Sequence, residues 1–279
     1  MRSEQVEVGG GVELSVLRWD GDGPAFLLVH GLASNARMWT GVATSLAAAG
    51  RSVIAVDLRG HGRSDKPDTA YDTATVAADL AVLISRTGLD RPVVAGQSWG
   101  GNVVLELARS QGDVLAAVAC VDGGWIHLRD RFTDWDTCAA AMKPPRLTGL
   151  PHAEMVLRMR SFHPDWDETA LDGALANFEL LSDGTIRPWL TLDRHLAVLR
   201  GLWDHCPRSF YRELDVEVLL VPADDGSDGD WNRDKRAAVD EAAAAIPRSR
   251  VRWYGPPADH DIHAQHPAAL ATDLMGLAG

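Results

Sequence analysis

The stretch Val93-Val94-Ala95-Gly96-Gln97-Ser98-Trp99-Gly100-Gly101 decides the reading of this chain. A short apolar, β-branched run enters a turn in which Ser98 has one glycine two residues before it and another two after it. The segment Asn102 to Arg109 then continues with a helical pattern. Only residues without bulk at those two places let a strand and the following helix pass so closely. Such a turn strains the serine backbone and aims its hydroxyl outward at the strand end, beside the free N–H groups of a helix N-terminus. A serine acting only as a helix cap would not require small residues on both sides. A hydroxyl is a weak nucleophile at its free pKa. Chemistry at Ser98 therefore needs a histidine base, an acid to orient it, and donors for a developing oxyanion.

Outward from this turn, apolar strands alternate with amphipathic helices. Strands are expected at Val12 to Trp19, Ala25 to His30, Arg51 to Leu58, Pro92 to Gln97 and Leu115 to Val121. Helices are expected at Ser34 to Ala49 and Asp72 to Thr87, each stopped by a glycine, Gly50 and Gly88. The rhythm implies a mainly parallel sheet with helices on both faces. It breaks after Asp122 and resumes with Val216 to Val221, Arg233 to Ala245, Arg250 to Tyr254 and Gln265 to Leu277. Residues 1–122 and 206–279 are thus expected to form the core, and 123–205 a helical cap over the strand ends. Five of the ten tryptophans fall in that insertion: Trp125, Trp135, Trp166, Trp189 and Trp203. They fill the small core of the cap, or one or two of them line an apolar pocket.

The 279 residues, 46% of them apolar, suffice for one large α/β domain. A net charge of −12 argues against nucleic acid or an anionic membrane surface as partner. Cys120, Cys138 and Cys206 fit neither a disulfide framework nor a zinc site. The stretch Met1 to Glu7 is polar and no segment approaches a membrane-spanning apolar run, so a cytoplasmic protein is expected.

Four local signatures, in order, resemble the α/β-hydrolase superfamily over nearly the whole chain. His30-Gly31-Leu32-Ala33 resembles the oxyanion loop after the third strand, and Asp57-Leu58-Arg59-Gly60-His61-Gly62-Arg63-Ser64-Asp65-Lys66-Pro67 the glycine-punctuated loop after the fourth. Gly96-Gln97-Ser98-Trp99-Gly100 resembles the nucleophile elbow. Ala258-Asp259-His260, ahead of Pro267, resembles the loop of the catalytic histidine. The resemblance implies a mainly parallel sheet of the eight-stranded type. It also implies Ser98 as nucleophile, His260 as base, and the backbone N–H groups of Leu32 and Trp99 as oxyanion hole. His263 and His266 rival His260 by position. His30, Trp125 and Trp189 are candidate pocket residues, and His30 is expected to prop the oxyanion loop rather than perform catalysis. Asp57, Arg59, His61 and Asp65 are expected to hold the shape of their loop.

The acid stays open between two places. Most of the superfamily takes it from the loop after the strand expected at Val216 to Val221. There Asp224, Asp225, Asp228 and Asp230 are available, but the usual position falls on Gly226. A minority takes it from the end of the preceding strand, where Asp122 closes Ala117-Val118-Ala119-Cys120-Val121. Asp122 is the first choice and Asp224 the alternative.

The resemblance further implies acyl transfer to water without metal or organic cofactor, on a small hydrophobic ester or lactone. Alkylating relatives, the dehalogenases and epoxide hydrolases, need a carboxylate where this chain has Ser98. Other serine-dependent relatives are carbon–carbon bond hydrolases, whose dianionic substrates call for an arginine near the lid (Arg129, Arg131, Arg158 or Arg160), and cofactor-free haloperoxidases. A ligand-binding protein on the same fold is the non-catalytic alternative. An apolar cap face would also suit a homodimer.

Overall fold

The computed structural model describes residues 1–278. In chain order the first half holds β1 (Arg2–Glu7), β2 (Glu13–Trp19), β3 (Gly23–Val29), α1 (Thr40–Ala48), β4 (Arg51–Val56), α2 (Thr73–Thr87), β5 (Val93–Gln97), α3 (Trp99–Gln111) and β6 (Ala117–Val121). The insertion carries α4 (Trp135–Ala141), α5 (His152–Phe162), α6 (Glu168–Leu175), β7 (Phe178–Leu180), β8 (Ile186–Pro188) and α7 (Leu192–Asp204). The chain closes with β9 (Glu217–Val221), α8 (Asp230–Ala245), β10 (Ser249–Val251), α9 (Ile262–Gln265) and α10 (Pro267–Met275).

Eight strands form one sheet in the order β1-β2-β4-β3-β5-β6-β9-β10. β2 runs antiparallel to both β1 and β4, and every other pairing is parallel. Side chains of the central strands alternate between two buried faces. Leu27, Val29, Ile54 and Val94 pack against Leu80, Leu83, Val103 and Leu107 of α2 and α3. Phe26, Leu28, Val53 and Ala95 pack on the other side against Val42 and Leu46 of α1 and Leu270 and Leu274 of α10. Burial on both faces is why these strands read as continuous apolar runs.

Several boundaries differ from expectation for local reasons. The first helix begins late because the Asn35 side chain accepts from the Arg37 N–H at 2.8 Å and caps a separate 3₁₀ turn, Ala36–Trp39. The last helix is divided at His266 because Pro267, lacking an N–H, restarts it at its first position. β1 was not expected at all. It is an edge strand with charged, mostly exposed side chains, and so carries no apolar alternation. The insertion is not wholly helical, since β7 and β8 pair as an antiparallel hairpin too short to register as a period. Among the described residues no helix is long and apolar enough to cross a membrane.

The insertion lies against the core. Asn35 donates to the Gly173 carbonyl at 2.9 Å and to Asn177 at 2.7 Å. At Gly173 a Cβ would stand 3.0 Å from the Arg37 carbonyl, which is how α6 sits so near the turn after β3. Of the five insertion tryptophans, Trp125 and Trp203 belong to the main core, and Trp135 meets Trp203 at 6.2 Å between ring centroids.

Candidate active site

Ser98 joins β5 to α3 with φ 54° and ψ −124°, a left-sided conformation that non-glycine residues seldom adopt. The surroundings over-determine it. A Cβ at Gly96 would collide with the Gly100 carbonyl, one at Gly100 would stand 2.5 Å from the His30 carbonyl, and one at Gly123 would run into the Ser98 carbonyl. In the turn from Gly96 to Gly100 Ser98 alone is not buried.

Its hydroxyl faces a cavity of about 220 Å³ that His260 also lines. His260 lies in the loop between β10 and α9. Its Nδ1 donates to Oδ2 of Asp122 at 2.6 Å, which leaves Nε2 as the acceptor of the neutral ring. Asp122 turns out of β6 at φ 42°, and its Oδ1 accepts the Ala223 N–H at 3.0 Å. Lys235 of α8 donates to Asp122 Oδ2 at 2.8 Å and to the Ala223 carbonyl at 2.9 Å. Burial alone would raise the Asp122 pKa, but the bonds from His260 and Lys235 outweigh it and hold the carboxyl ionised. The His260 side chain is 51% exposed; loss of water on its covered side works to lower the pKa, and the Asp122 carboxylate overcomes it, so the ring binds its proton more tightly than a free histidine.

Asp224 stands elsewhere. It accepts from the Gly226 N–H at 2.9 Å and Asn232 Nδ2 at 2.9 Å, and it pairs with Arg236. These bonds shape the loop before α8, and Asp225 does the same through the Ser227 N–H at 2.8 Å. The histidine rivals make no bond to Asp122. His263 is fully buried against Trp39, and His266 stacks on Tyr254.

The amides proposed for the oxyanion are placed by the loops around Ser98. Trp99 N–H is the first of α3 and has no partner within the helix. Leu32 lines the same cavity as Ser98. His30 does not line it, contrary to the expectation of a pocket residue. The ring is wholly buried, donates from Nδ1 to the Gly31 carbonyl at 2.7 Å and accepts the Leu58 N–H at Nε2 at 2.9 Å, and burial lowers its pKa to about 4. A neutral strut between two loops is its role. His61 similarly accepts the Ala33 N–H at 3.3 Å. Asp57 holds the N–H groups of Ala36 at 2.7 Å and Arg63 at 2.9 Å, and Arg59 forms a buried pair with Asp79 at 2.5 Å.

The remaining pocket candidates fall outside the nucleophile cavity. Trp125 lines a separate cavity of about 340 Å³ on the other side of His260, with Asp122 and Lys235. Trp189 lies under Lys66, 5.4 Å from the ring centroid, away from Ser98. Met38, Met159, Trp166 and Ala174 form the apolar wall instead. Trp166 was one of five equivalent tryptophans in the sequence, and nothing marked the methionines. Among the described residues no group of three or more histidines, cysteines and carboxylates could hold a metal ion.

A family model of the alpha/beta hydrolase fold matches residues 24–196. The chain belongs to this family. The α/β-hydrolase is 34% identical over 276 residues to the 2-(acetamidomethylene)succinate hydrolase of Mesorhizobium japonicum, covering 95% of this chain and 91% of that one. The crystal structure of an E-2-(acetamidomethylene)succinate hydrolase superposes with a TM-score of 0.80 at 24% identity, over 99% of this chain and 98% of that chain. A soluble epoxide hydrolase of Corynebacterium is 37% identical over 114 residues, 40% of each chain. The α/β-hydrolase spans about a third of the length, 31%, of the uncharacterized mycobacterial proteins that it matches over 106 residues.

Proposed function

We propose that this α/β-hydrolase is a serine hydrolase that cleaves a hydrophobic carboxylic ester or lactone, uncharged around the reacting carbonyl. His260 Nε2 takes the Ser98 proton as the hydroxyl attacks the carbonyl carbon, and the oxyanion rests on the Leu32 and Trp99 amides. The imidazolium is stabilised by Asp122, which stays ionised. It returns its proton to the leaving alcohol as the tetrahedral intermediate collapses to an acyl-serine. His260 then deprotonates the water that releases the acid.

The observation that carries this reading is the make-up of the nucleophile cavity. Beside Ser98 and His260 it offers the apolar Leu32, Met38, Met159 and Trp166, the polar Gln97, Asn177 and His163, one carboxylate, Asp261, and no lysine or arginine. A neutral carbonyl with apolar substituents suits it. A carboxylate beside the reacting carbon would be desolvated there without a counter-ion. That argues against simply carrying over the substrate in the name of the Mesorhizobium relative. The epoxide hydrolase likeness does not extend to its reaction. An epoxide opened by Ser98 would leave a serine ether, which water does not cleave under these conditions, whereas an acyl-serine is hydrolysed. The arginines suggested for a dianionic carbon–carbon bond substrate are engaged elsewhere: Arg129 with Asp204, Arg131 with Asp234, Arg158 with Glu154 and Arg160 with Glu168.

Turnover of p-nitrophenyl acetate and butyrate by the wild type, absent in Ser98→Ala, is the expected result. No turnover by the wild type on short and medium acyl chains or on a panel of lactones would overturn the reading.

A further inference from the structure

The nucleophile cavity shares Ala33, Ser34 and Asn177 with a larger one of about 720 Å³. Its lining is anomalous for this chain. In a protein of net charge −12, it presents Lys143, Arg146 and Arg187 and no aspartate or glutamate. Arg187 is neutralised by Glu179 of the facing strand. Lys143 and Arg146 sit in the loop between α4 and α5, and neither forms an ion pair with any described residue. The two histidines of the lining add no charge at neutral pH, because burial lowers the pKa of both, to about 3 for His61. Much of the rest of the wall is apolar, with Pro144, Leu147, Trp189 and Leu192 among it, beside the neutral polar Ser34, Thr148, Asn177 and Thr191. A cavity that adjoins the one beside Ser98, with apolar walls and two unpaired cations that the first cavity lacks, is complementary to a carbon skeleton bearing a remote anion.

We propose that this second cavity is a substrate subsite for a carboxylate remote from the reacting carbonyl, held by Lys143 and Arg146. The substrate would then be an amphiphilic carboxylate-bearing ester or lactone, neutral where it meets Ser98 and charged at its far end. This assignment rests on the serine-hydrolase reading, and it limits that reading to one class of ester. Arg146 offers paired donors to the carboxylate and Lys143 a compact charge.

Two esters that differ only in the distal charge test it: p-nitrophenyl hydrogen suberate and p-nitrophenyl methyl suberate, with p-nitrophenyl octanoate as apolar reference. The wild type is expected to favour the hydrogen suberate in kcat/KM by roughly tenfold at low salt, as two ion pairs to exposed cations would give. The preference should shrink as salt is added. In the double variant Lys143→Met/Arg146→Met the two suberates should become equivalent while the octanoate rate stays within about twofold. Equal kcat/KM for both suberates in the wild type would overturn the subsite, with octanoate turnover leaving the serine-hydrolase reading in place. If no ester is turned over faster by the wild type than by Ser98→Ala, that reading fails, and calorimetric titration of suberate into Ser98→Ala still decides the subsite. Binding that disappears when Lys143→Met/Arg146→Met is added supports it. No binding, or binding of inorganic phosphate alone, refutes it.

Discussion

Lys235 and His260 converge on a single oxygen: Nζ of the one and Nδ1 of the other lie 2.8 Å and 2.6 Å from Oδ2 of Asp122. The lysine side chain is largely covered and comes from a helix remote in sequence from both partners. It steadies the carboxylate, and its charge works against protonation of the histidine, whereas Asp122 and Asp261 favour it. In the proposed mechanism His260 must be neutral to accept the Ser98 proton, so activity should fall as pH drops through its raised pKa. Removing the ammonium in Lys235→Met takes away the opposing charge. The acidic limb of the kcat/KM profile should therefore move to higher pH, with a plateau within about tenfold of wild type. A limb that stays in place or moves down would show that Lys235 does not tune the histidine.

The two candidate acids should respond very differently to loss of charge. Asp122→Asn turns an amide toward His260 Nδ1 and favours the wrong tautomer, which costs about 10³- to 10⁴-fold in kcat by the general behaviour of such triads. Asp224→Asn alters only bonds to Gly226, Asn232 and Arg236 and should leave kcat within about threefold, with a small loss of thermal stability. Steady-state kinetics on p-nitrophenyl butyrate check both; the opposite ranking would transfer the role of acid to the loop after β9.

His263 predicts a pH-dependent stability. The ring is fully buried, neither nitrogen has a hydrogen-bond partner, and burial together with the nearby charge of His260 lowers its pKa to about 3. Unfolding returns it to about 6.5, so the folded state loses stability as pH falls from there toward 3, by about 2 kcal/mol at pH 5. His263→Phe keeps a ring against Trp39, 4.5 Å away between centroids, and abolishes the proton uptake. Its melting temperature should exceed that of wild type by more at pH 5 than at pH 8. An equal difference at both would mean that His263 is already protonated in the fold.

Gly100→Ala should be severe. The added Cβ would meet the backbone carbonyls of His30 and Val29 at 2.5 Å and 2.8 Å, and neither can retreat without displacing β3 from β5. A loss of about 3 kcal/mol or more is expected, read as a lower denaturation midpoint or as insoluble protein. Gly112→Ala, where no atom lies within 4 Å, serves as the control.

What could be read from the sequence follows from how locally each feature is encoded. The Ser98 turn is legible because its geometry demands glycine at fixed offsets, and the central strands because burial on both faces removes every polar residue. The acid was only narrowed to Asp122 or the Asp224 loop, since spacing along the chain does not say which carboxylate reaches the histidine across two strands. Lys235 left no trace: in Asp230–Ala245 it is one charge among many on a polar helix, and only the approach of α8 to the end of β6 gives it a partner. Lys143 and Arg146 were hidden for the converse reason. Overall charge is an average, and a local excess of cations does not alter it.

The insertion is tied to both sides of the Asp122–His260 pair. Asp122 is followed at once by Gly123, so the residue that anchors His260 is also the root from which the insertion departs. At its far side His163 Nδ1 lies 2.9 Å from Asp259, next to His260, and Asp165 accepts from Gln265 at 2.6 Å. A cover fastened at these two places cannot swing clear as a free flap without pulling on the hydrogen bond between Asp122 and His260. Replacement of the insertion by one from a relative would have to preserve both attachments. The loop from Asp224 to Gly229, which makes no side-chain bond to His260, should by contrast be open to lengthening or exchange.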